Sequence, residues 1–374
     1  MMKVLHLISG GDTGGAKTHI ISLVKELNKI IDAKVICFIE DIFYYEALDA
    51  GINIEVFKQK KRSDMSVIGR LKDEIDKEDY DIIHCHGARA NFIAMILKNK
   101  INKPMITTIH SDYKLDFKDN FYKRIVYTAI NSIALKRFDY YIAISNTFKQ
   151  MLVDRGFKEN KIFTVYNGID LEGDMDYVSR EEFLSRYNIQ GEGKTLVGII
   201  ARLDLVKDHE TFIKAAYKVL QERKDAIFLI AGTGNDEKNL RTLVEEMGIE
   251  DYVYFLGFVK DQYSFFNAID INTLTSISES FPYVILEGAR LKKTVISTEV
   301  GGINHLIEDG FNGWLINVGD SEALAEKIIF FMENQNKIKT MGENLFESVK
   351  LNFSSKRMAE EHHKIYKQIL EYRR

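Results

Sequence analysis

Residues 5–27 read LHLISGGDTGGAKTHIISLVKEL: a short apolar run, four glycines between positions 10 and 15, then a helical pattern. Glycines between a strand and a helix let the chain turn with positive φ and let a ligand approach the backbone. A helix N-terminus adds free N–H groups and the positive end of a dipole. The stretch therefore reads as a phosphate-holding turn before a helix from Ala16, and a turn that needs positive φ and holds nothing is the plain alternative. A dinucleotide fingerprint wants G-x-G-x-x-G and an acidic residue about twenty positions on. Here the order is GGDTGG, so the spacing fails, although Glu40 and Asp41 end the next predicted strand and keep an oxidoreductase as an alternative.

Outward from this turn, strands alternate with helices almost throughout, the pattern of a parallel sheet covered on both faces. Strands are predicted at residues 3–8, 34–39, 53–57, 81–84, 105–109, 140–143 and 162–165. After YNGIDLEGDMD (166–176) a second series follows at 195–200, 226–231, 252–256, 271–274, 295–297 and 313–316. The predicted division is an N-terminal doubly wound domain, 1–167, a second one, 168–353, and a last helical segment, 354–374. Charge divides similarly, with 26 basic and 22 acidic residues in 1–170 against 25 and 33 in 171–374. Strand carboxyl ends, where such sheets bind ligands, are expected to face each other across a cleft.

The 374 residues, 45% hydrophobic, exceed one ordinary core. A net charge of -4 argues against a nucleic-acid partner. Two cysteines, Cys37 and Cys85, sit in apolar runs and build neither a disulfide framework nor a thiolate metal site. No signal-peptide pattern or membrane-length apolar run is visible, which predicts a cytoplasmic protein.

The second half supplies charged residues at a strand end. In GIIARLDLVKDHETFIKAA (198–216), Arg202 and Lys207 lie in the loop and first turn before a helix. Two cations there suit a diphosphate leaving group, which gathers negative charge as its bond to carbon breaks. Two solvated charges are the alternative. In SISESFPYVILEGARLKKTVIS (276–297), Glu279 and Glu287 can point into one cleft if the helix starts near Pro282, and carboxylates there suit sugar and ribose hydroxyls.

Taken in order, GGDTGGAKTH, VYNGID, ARLDLVKD, AGTGND, LGFV, the E-x7-E stretch and STEVGGINHLIEDGFNGWLI resemble the retaining glycosyltransferases of group 1, family 4. These have the GT-B fold, two Rossmann-like α/β domains, and include glycogen and sucrose synthases and many cell-envelope enzymes. The resemblance implies that Arg202 and Lys207 grip the donor diphosphate and that Gly14 and Gly15 approach its distal phosphate. Glu287 would bind ribose, while Glu279, with the backbone at Ser280 and Phe281, would orient the transferred sugar. Phe258 and Val259 lie where relatives hold the base, His110 where they face the donor sugar, and His86 and Arg89 on the acceptor side. The catalytic set implied is His110, Arg202, Lys207 and Glu279. The donor would be a nucleotide-diphosphate sugar, a UDP-sugar by expectation, and the acceptor a sugar or lipid-linked hydroxyl. Neither a metal nor another cofactor is implied. An epimerase or hydrolase on the same plan, and a non-catalytic sugar-nucleotide binder, are the alternatives.

The chain departs from the family pattern at Lys17, where many relatives carry Glu, and at Lys292, Lys293 and Thr294, where they carry a small residue, Gly and Pro. Pro282 has no N–H to offer a sugar. Asp174 and Asp176 in GDMD have the spacing of a metal pair but read as a solvated turn. His84 and His86 in HCHGARAN share a strand face and, with His110 and Asp112, could build the metal site of a hydrolase. Lys58, Lys60, Lys61 and Arg62, with a helix in FYKRIVYTAINSIALKRF (121–138), could form an edge for an anionic membrane; a solvated loop and a core helix are the alternative.

Overall fold

The structure, a computed structural model, describes residues 1–11, 14–61, 64–112, 114 and 121–372, with residues 121–127 described by their backbone only. The chain divides into two compact units: Met1–Asp170 with Ser354–Arg374, and Leu171–Phe353.

The first unit is built of β1 (Lys3–Ile8), α1 (Gly15–Leu27), β2 (Asp32–Cys37), α2 (Ile42–Asp49), β3 (Ile54–Val56), α3 (Ser66–Glu78), β4 (Ile82–His86), α4 (Gly87–Leu97), β5 (Met105–Ile109), α5 (Phe121–Leu135), β6 (Tyr140–Ala143), α6 (Asn146–Asp154) and β7 (Ile162–Thr164). The strands pair in parallel in the order β3-β2-β1-β4-β5-β6-β7. Alternate side chains feed two cores: Leu5, Leu7, Ile83 and Cys85 enter one, and Val4, Ile8, Ile82 and Ile106 the other. Burial on both faces is why these strands read as unbroken apolar runs.

Strand centres fall where the apolar runs predict them, and the ends are set by neighbours. The predicted 34–39 is Asp32–Cys37, in step with β1 from Lys3↔Asp32 to Ile8↔Cys37. The N–H groups of Phe38 and Ile39 turn away to the Ser9 carbonyl. The predicted 81–84 runs on to His86, which pairs with Ile8 and Thr108.

The second unit comprises α7 (Arg180–Ser185), β8 (Thr195–Ile200), α8 (His209–Glu222), β9 (Ala226–Ala231), α9 (Glu237–Met247), β10 (Val253–Gly257), α10 (Gln262–Ala268), β11 (Ile271–Leu274), α11 (Tyr283–Arg290), β12 (Thr294–Thr298), β13 (Trp314–Ile316), α12 (Ser321–Glu333) and α13 (Gln335–Asn352). Its parallel sheet runs β10-β9-β8-β11-β12-β13. Lys292, in the family's small-Gly-Pro stretch, takes a left-handed φ of 55° just past α11, the conformation glycine adopts most easily there.

The last helix, α14 (Ser355–Glu371), belongs to the first unit. Ser354 bridges Ile169, and a Cβ on Gly168 would lie 2.4 Å from the Ser354 carbonyl oxygen. The glycine of VYNGID is thus required by the backbone of the incoming helix. From there α14 packs on α1 and inserts Tyr366, whose hydroxyl lies 2.6 Å from His84 Nδ1 with both groups fully buried. Tyr366→Phe strands that nitrogen away from water and is expected to lower unfolding free energy by about 1–3 kcal/mol in urea titration.

Candidate functional site

In each sheet the strand order reverses at the first strand, and ligands of open α/β sheets bind beyond the carboxyl ends of strands at such a point. In the second unit this lies between β8 and β11. The following loops, 201–208 and 275–282, are stitched together. Ile277 N–H donates to the Val206 carbonyl at 2.8 Å, and the Thr275 hydroxyl reaches the Lys207 and Asp208 carbonyls at 3.0 and 2.9 Å. Across this seam Lys207 Nζ lies 2.5 Å from Glu279 Oε1, which also accepts from the Ser276 hydroxyl at 2.6 Å. The side chains are 18% and 9% exposed, so the pair is largely dry. The loop after β12 closes on the same place. Gly302 N–H donates to the Ser280 carbonyl at 3.0 Å, and a Cβ on Gly301, φ +60°, would sit 1.7 Å from the Glu279 carbonyl oxygen.

Arg202 does not join this pair. Its side chain is 80% exposed and its guanidinium lies 3.1 Å from Asp204, two residues along the same loop. Glu287 does not share Glu279's partners either. It is buried on α11 and accepts from Gln262 Nε2 of α10 at 2.9 Å. The helix does start after Pro282, but the E-x7-E stretch resolves into two carboxylates with separate anchors. Phe258, just past β10, is 77% exposed, whereas Val259 is buried. Phe281 is buried against Phe353, ring centroids 5.2 Å apart, so at that position the backbone alone can meet a ligand. Ser280 beside it is partly exposed.

The first unit reverses between β1 and β4. In the glycine turn, Asp12 and Thr13 lie outside the described residues, and the flanking glycines differ. A Cβ on Gly10 would stand 2.3 Å from the Ile39 carbonyl oxygen, whereas Gly14, φ +66°, faces open space at the cap of α1. Among the described residues no side-chain cap or acidic residue meets the first turn, which begins at Gly15. Lys17 pairs with Glu46 of α2 at 2.6 Å.

His110, partly exposed beyond β5, lies with Nε2 3.3 Å from His86 Nδ1, and His86 Nε2 lies 3.0 Å from His6 Nδ1. His86, expected on the acceptor side, has a ring that is 1% exposed, and both its nitrogens face other histidines. Burial foremost, then the neighbouring His362, lowers His110 to about 4, and burial lowers His86 well below its ordinary value, so both are neutral. Arg89 is half-buried and donates to Gln59 Oε1 at 2.8 Å. Asp112 is held by both Arg155 nitrogens, at 2.8 and 2.7 Å, and does not join the histidines. Asp174 and Asp176 are exposed. Of the basic edge, Lys58, Lys60 and Lys61 are exposed, Lys58 lying 3.6 Å from Glu40; Arg62 lies outside the described residues, as do the first seven side chains of α5. Among the described residues no helix is long and apolar enough to cross a membrane.

Residues missed from the sequence are the anchors: Ser276 on Glu279, Gln262 on Glu287, His6 and His19 around His86, and His362 beside His19 and His84. Only the alternation of His84 and His86, read with His110, pointed to the histidine face.

The family model for glycosyl transferases group 1 matches residues 180–347, and that for glycosyltransferase family 4 matches residues 13–172. The chain belongs to the group 1, family 4 glycosyltransferases. It is 28% identical over 315 residues to the N-acetyl-alpha-D-glucosaminyl L-malate synthase of Bacillus anthracis, covering 82% of this chain and 80% of that protein. It is 24% identical over 377 residues to the O-antigen biosynthesis glycosyltransferase WclY of Escherichia coli, covering 98% of each. Among solved structures it is similar to Anabaena HepE in complex with UDP-glucose, with a TM-score of 0.83, 23% identity and coverage of 98% of this chain and 100% of that one. The GT-B fold expected from the motifs is the fold observed.

Beside Lys207, His209 opens α8, fully enclosed, with neither ring nitrogen hydrogen-bonded. Burial first, then Lys207, lowers it to about 4, while Asp204 and Asp236 pull the other way. A histidine whose folded value is depressed stabilises fully above its unfolded value near 6.5 and loses that contribution as pH falls toward 4. The second unit should lose roughly 3 kcal/mol over this window through His209. Urea unfolding at pH 7 and pH 4.5 checks this, with a smaller pH difference expected in His209→Leu.

Proposed function

We propose that this glycosyltransferase moves a sugar from a nucleotide diphosphate, UDP by preference, to a hydroxyl acceptor with retention of anomeric configuration and without a metal ion at the diphosphate. The observation that carries the reading is the dry Lys207–Glu279 contact at the strand-order reversal of the second unit. A diphosphate arriving there meets Lys207 as a fixed cation. Arg202 closes on it from solvent, giving up an exposed pairing with Asp204 that costs little to break. Glu279 and the backbone at Ser280 and Phe281 orient the sugar, Glu287 holds ribose, and Phe258 with Val259 borders the base. From the first unit, the uncapped α1 turn at Gly14 and Gly15 is assigned to the distal phosphate, and His110 to the sugar. Arg89 is assigned to the acceptor side.

In the transfer proposed, the acceptor oxygen attacks the anomeric carbon on the face from which the diphosphate departs. The C–O bond to the diphosphate breaks through an oxocarbenium-like state, and the departing oxygen takes the acceptor's proton. The protein supplies position and charge rather than a covalent nucleophile. HepE was solved with UDP-glucose, which supports a uridine donor, and WclY acts in O-antigen biosynthesis, which supports a cell-envelope or glycolipid acceptor. The exposed Lys58, Lys60 and Lys61 support peripheral contact with an anionic, cytoplasmic membrane face.

Lys207→Ala and Glu279→Ala should each lower turnover by one to two decades, about 1.5–3 kcal/mol for one charged partner, with the fold retained but the melting temperature lowered by the charge left unpaired. Donor-sugar turnover by mass spectrometry checks this, and undiminished activity in both variants removes the assignment. NMR of the product's anomeric proton tests retention. Sedimentation with vesicles should increase with anionic lipid content, and binding indifferent to lipid charge removes the membrane contact.

A further inference from the structure

Six of the chain's nine histidines gather on the α1 and α14 side of the first sheet: His6, His84 and His86 from its strands, His110 beyond β5, His19 from α1 and His362 from α14. The transfer chemistry above uses one of them. His19 Nδ1 lies 2.9 Å from Asn167 Oδ1, an acceptor, so that nitrogen carries the ring proton. Its Nε2 is left as a bare lone pair in a fully buried ring with no hydrogen-bond partner.

One nitrogen each of His19, His86 and His110 lies within 4.8 Å of the others. A tetrahedral ion about 2.0–2.1 Å from each ligand holds those nitrogens about 3.3 Å apart. That is already the separation of His86 Nδ1 from His110 Nε2, 3.3 Å. We propose that His19 Nε2, His86 Nδ1 and His110 Nε2 form a tri-histidine site for one borderline divalent transition-metal ion, zinc foremost.

Two second contacts orient the ligands as metal-bound histidines require. Asn167 accepts from His19 Nδ1, and His6 Nδ1, 3.0 Å from His86 Nε2, can accept the proton there. Imidazole without carboxylate favours zinc, nickel or copper over magnesium or calcium. Asp112, two residues after His110, is committed to Arg155. Burial keeps all three rings neutral, with lone pairs available. His6, His84 and His86 also converge, but both His84 nitrogens are engaged by the Tyr366 and Thr108 hydroxyls. The His19 group surrenders only the His86–His110 contact, and partly exposed His110 gives the ion its entry side. An ion there occupies His110, so zinc should inhibit the proposed transfer rather than support it.

The test is titration of the full chain with zinc by calorimetry and with cobalt by visible absorption, in the absence of any sugar nucleotide. One ion per chain with tetrahedral cobalt bands is expected, and about tenfold or more weaker binding in His19→Ala and in His110→Ala. His305→Ala, at an exposed position of the second unit, should bind as the parent does. His110→Ala keeps the test usable if His19→Ala fails to fold. Absence of binding, or binding undiminished in the folded variants, overturns the site. No donor is present, so a failure of the transfer reading leaves this result standing, and the reverse.

Discussion

A largely dry lysine–glutamate contact, Lys207 to Glu279, is the constraint around which the loops after β8 and β11 of the second unit are arranged. Removing two charges from water is costly unless hydrogen bonds complete the arrangement. Here the Ser276 hydroxyl supplies one, and backbone bonds between the loops after β8 and β11 hold the geometry. Gly301, pressed onto the Glu279 carbonyl, holds the loop after β12 against the same residue. Arg202 stands outside this arrangement, in an exposed pairing with Asp204. The second unit thus holds one cation in a largely dry contact and a second in an exposed one.

The first unit solves a different problem. Its histidine face carries polar rings where an α/β sheet normally packs aliphatic side chains, and burial keeps them uncharged. Most are ordered by one another or by a hydroxyl or carbonyl: His6 with His86, His84 with Tyr366 and Thr108, His19 with Asn167, His362 with the Met358 carbonyl. Asn167 and Gly168, neighbours in the VYNGID motif, act on this face together, one by bonding His19 and the other by admitting the start of α14.

Strand positions were legible because burial on both sides leaves an unbroken apolar signature, as at Thr195–Ile200 and Met105–Ile109. Their ends were less so, since a strand stops where its neighbour's ladder stops, which no local pattern records. That small error had a large effect at His86. Continuing β4 by two residues puts this ring in the sheet's interior, among the other histidines. Lys207 and Glu279 could be named from loops that follow strands, but their direct contact depends on β8 and β11 being neighbours, a fact of topology. Glu287 and Arg202 show the limit from the other side. The family resemblance singled them out, while their orientation follows from Gln262 and Asp204, which the motif does not mark.

The first unit is discontinuous, since its closing helix follows the entire second unit in the chain. Domains emerge from the ribosome in sequence order. The Leu171–Phe353 segment is therefore fully synthesised while the sheet of Lys3–Thr164 still lacks the helix that covers His84 with Tyr366. Throughout that interval the nascent N-terminal sheet lacks the cover that Tyr366 gives His84, and its maturation awaits the synthesis of α14.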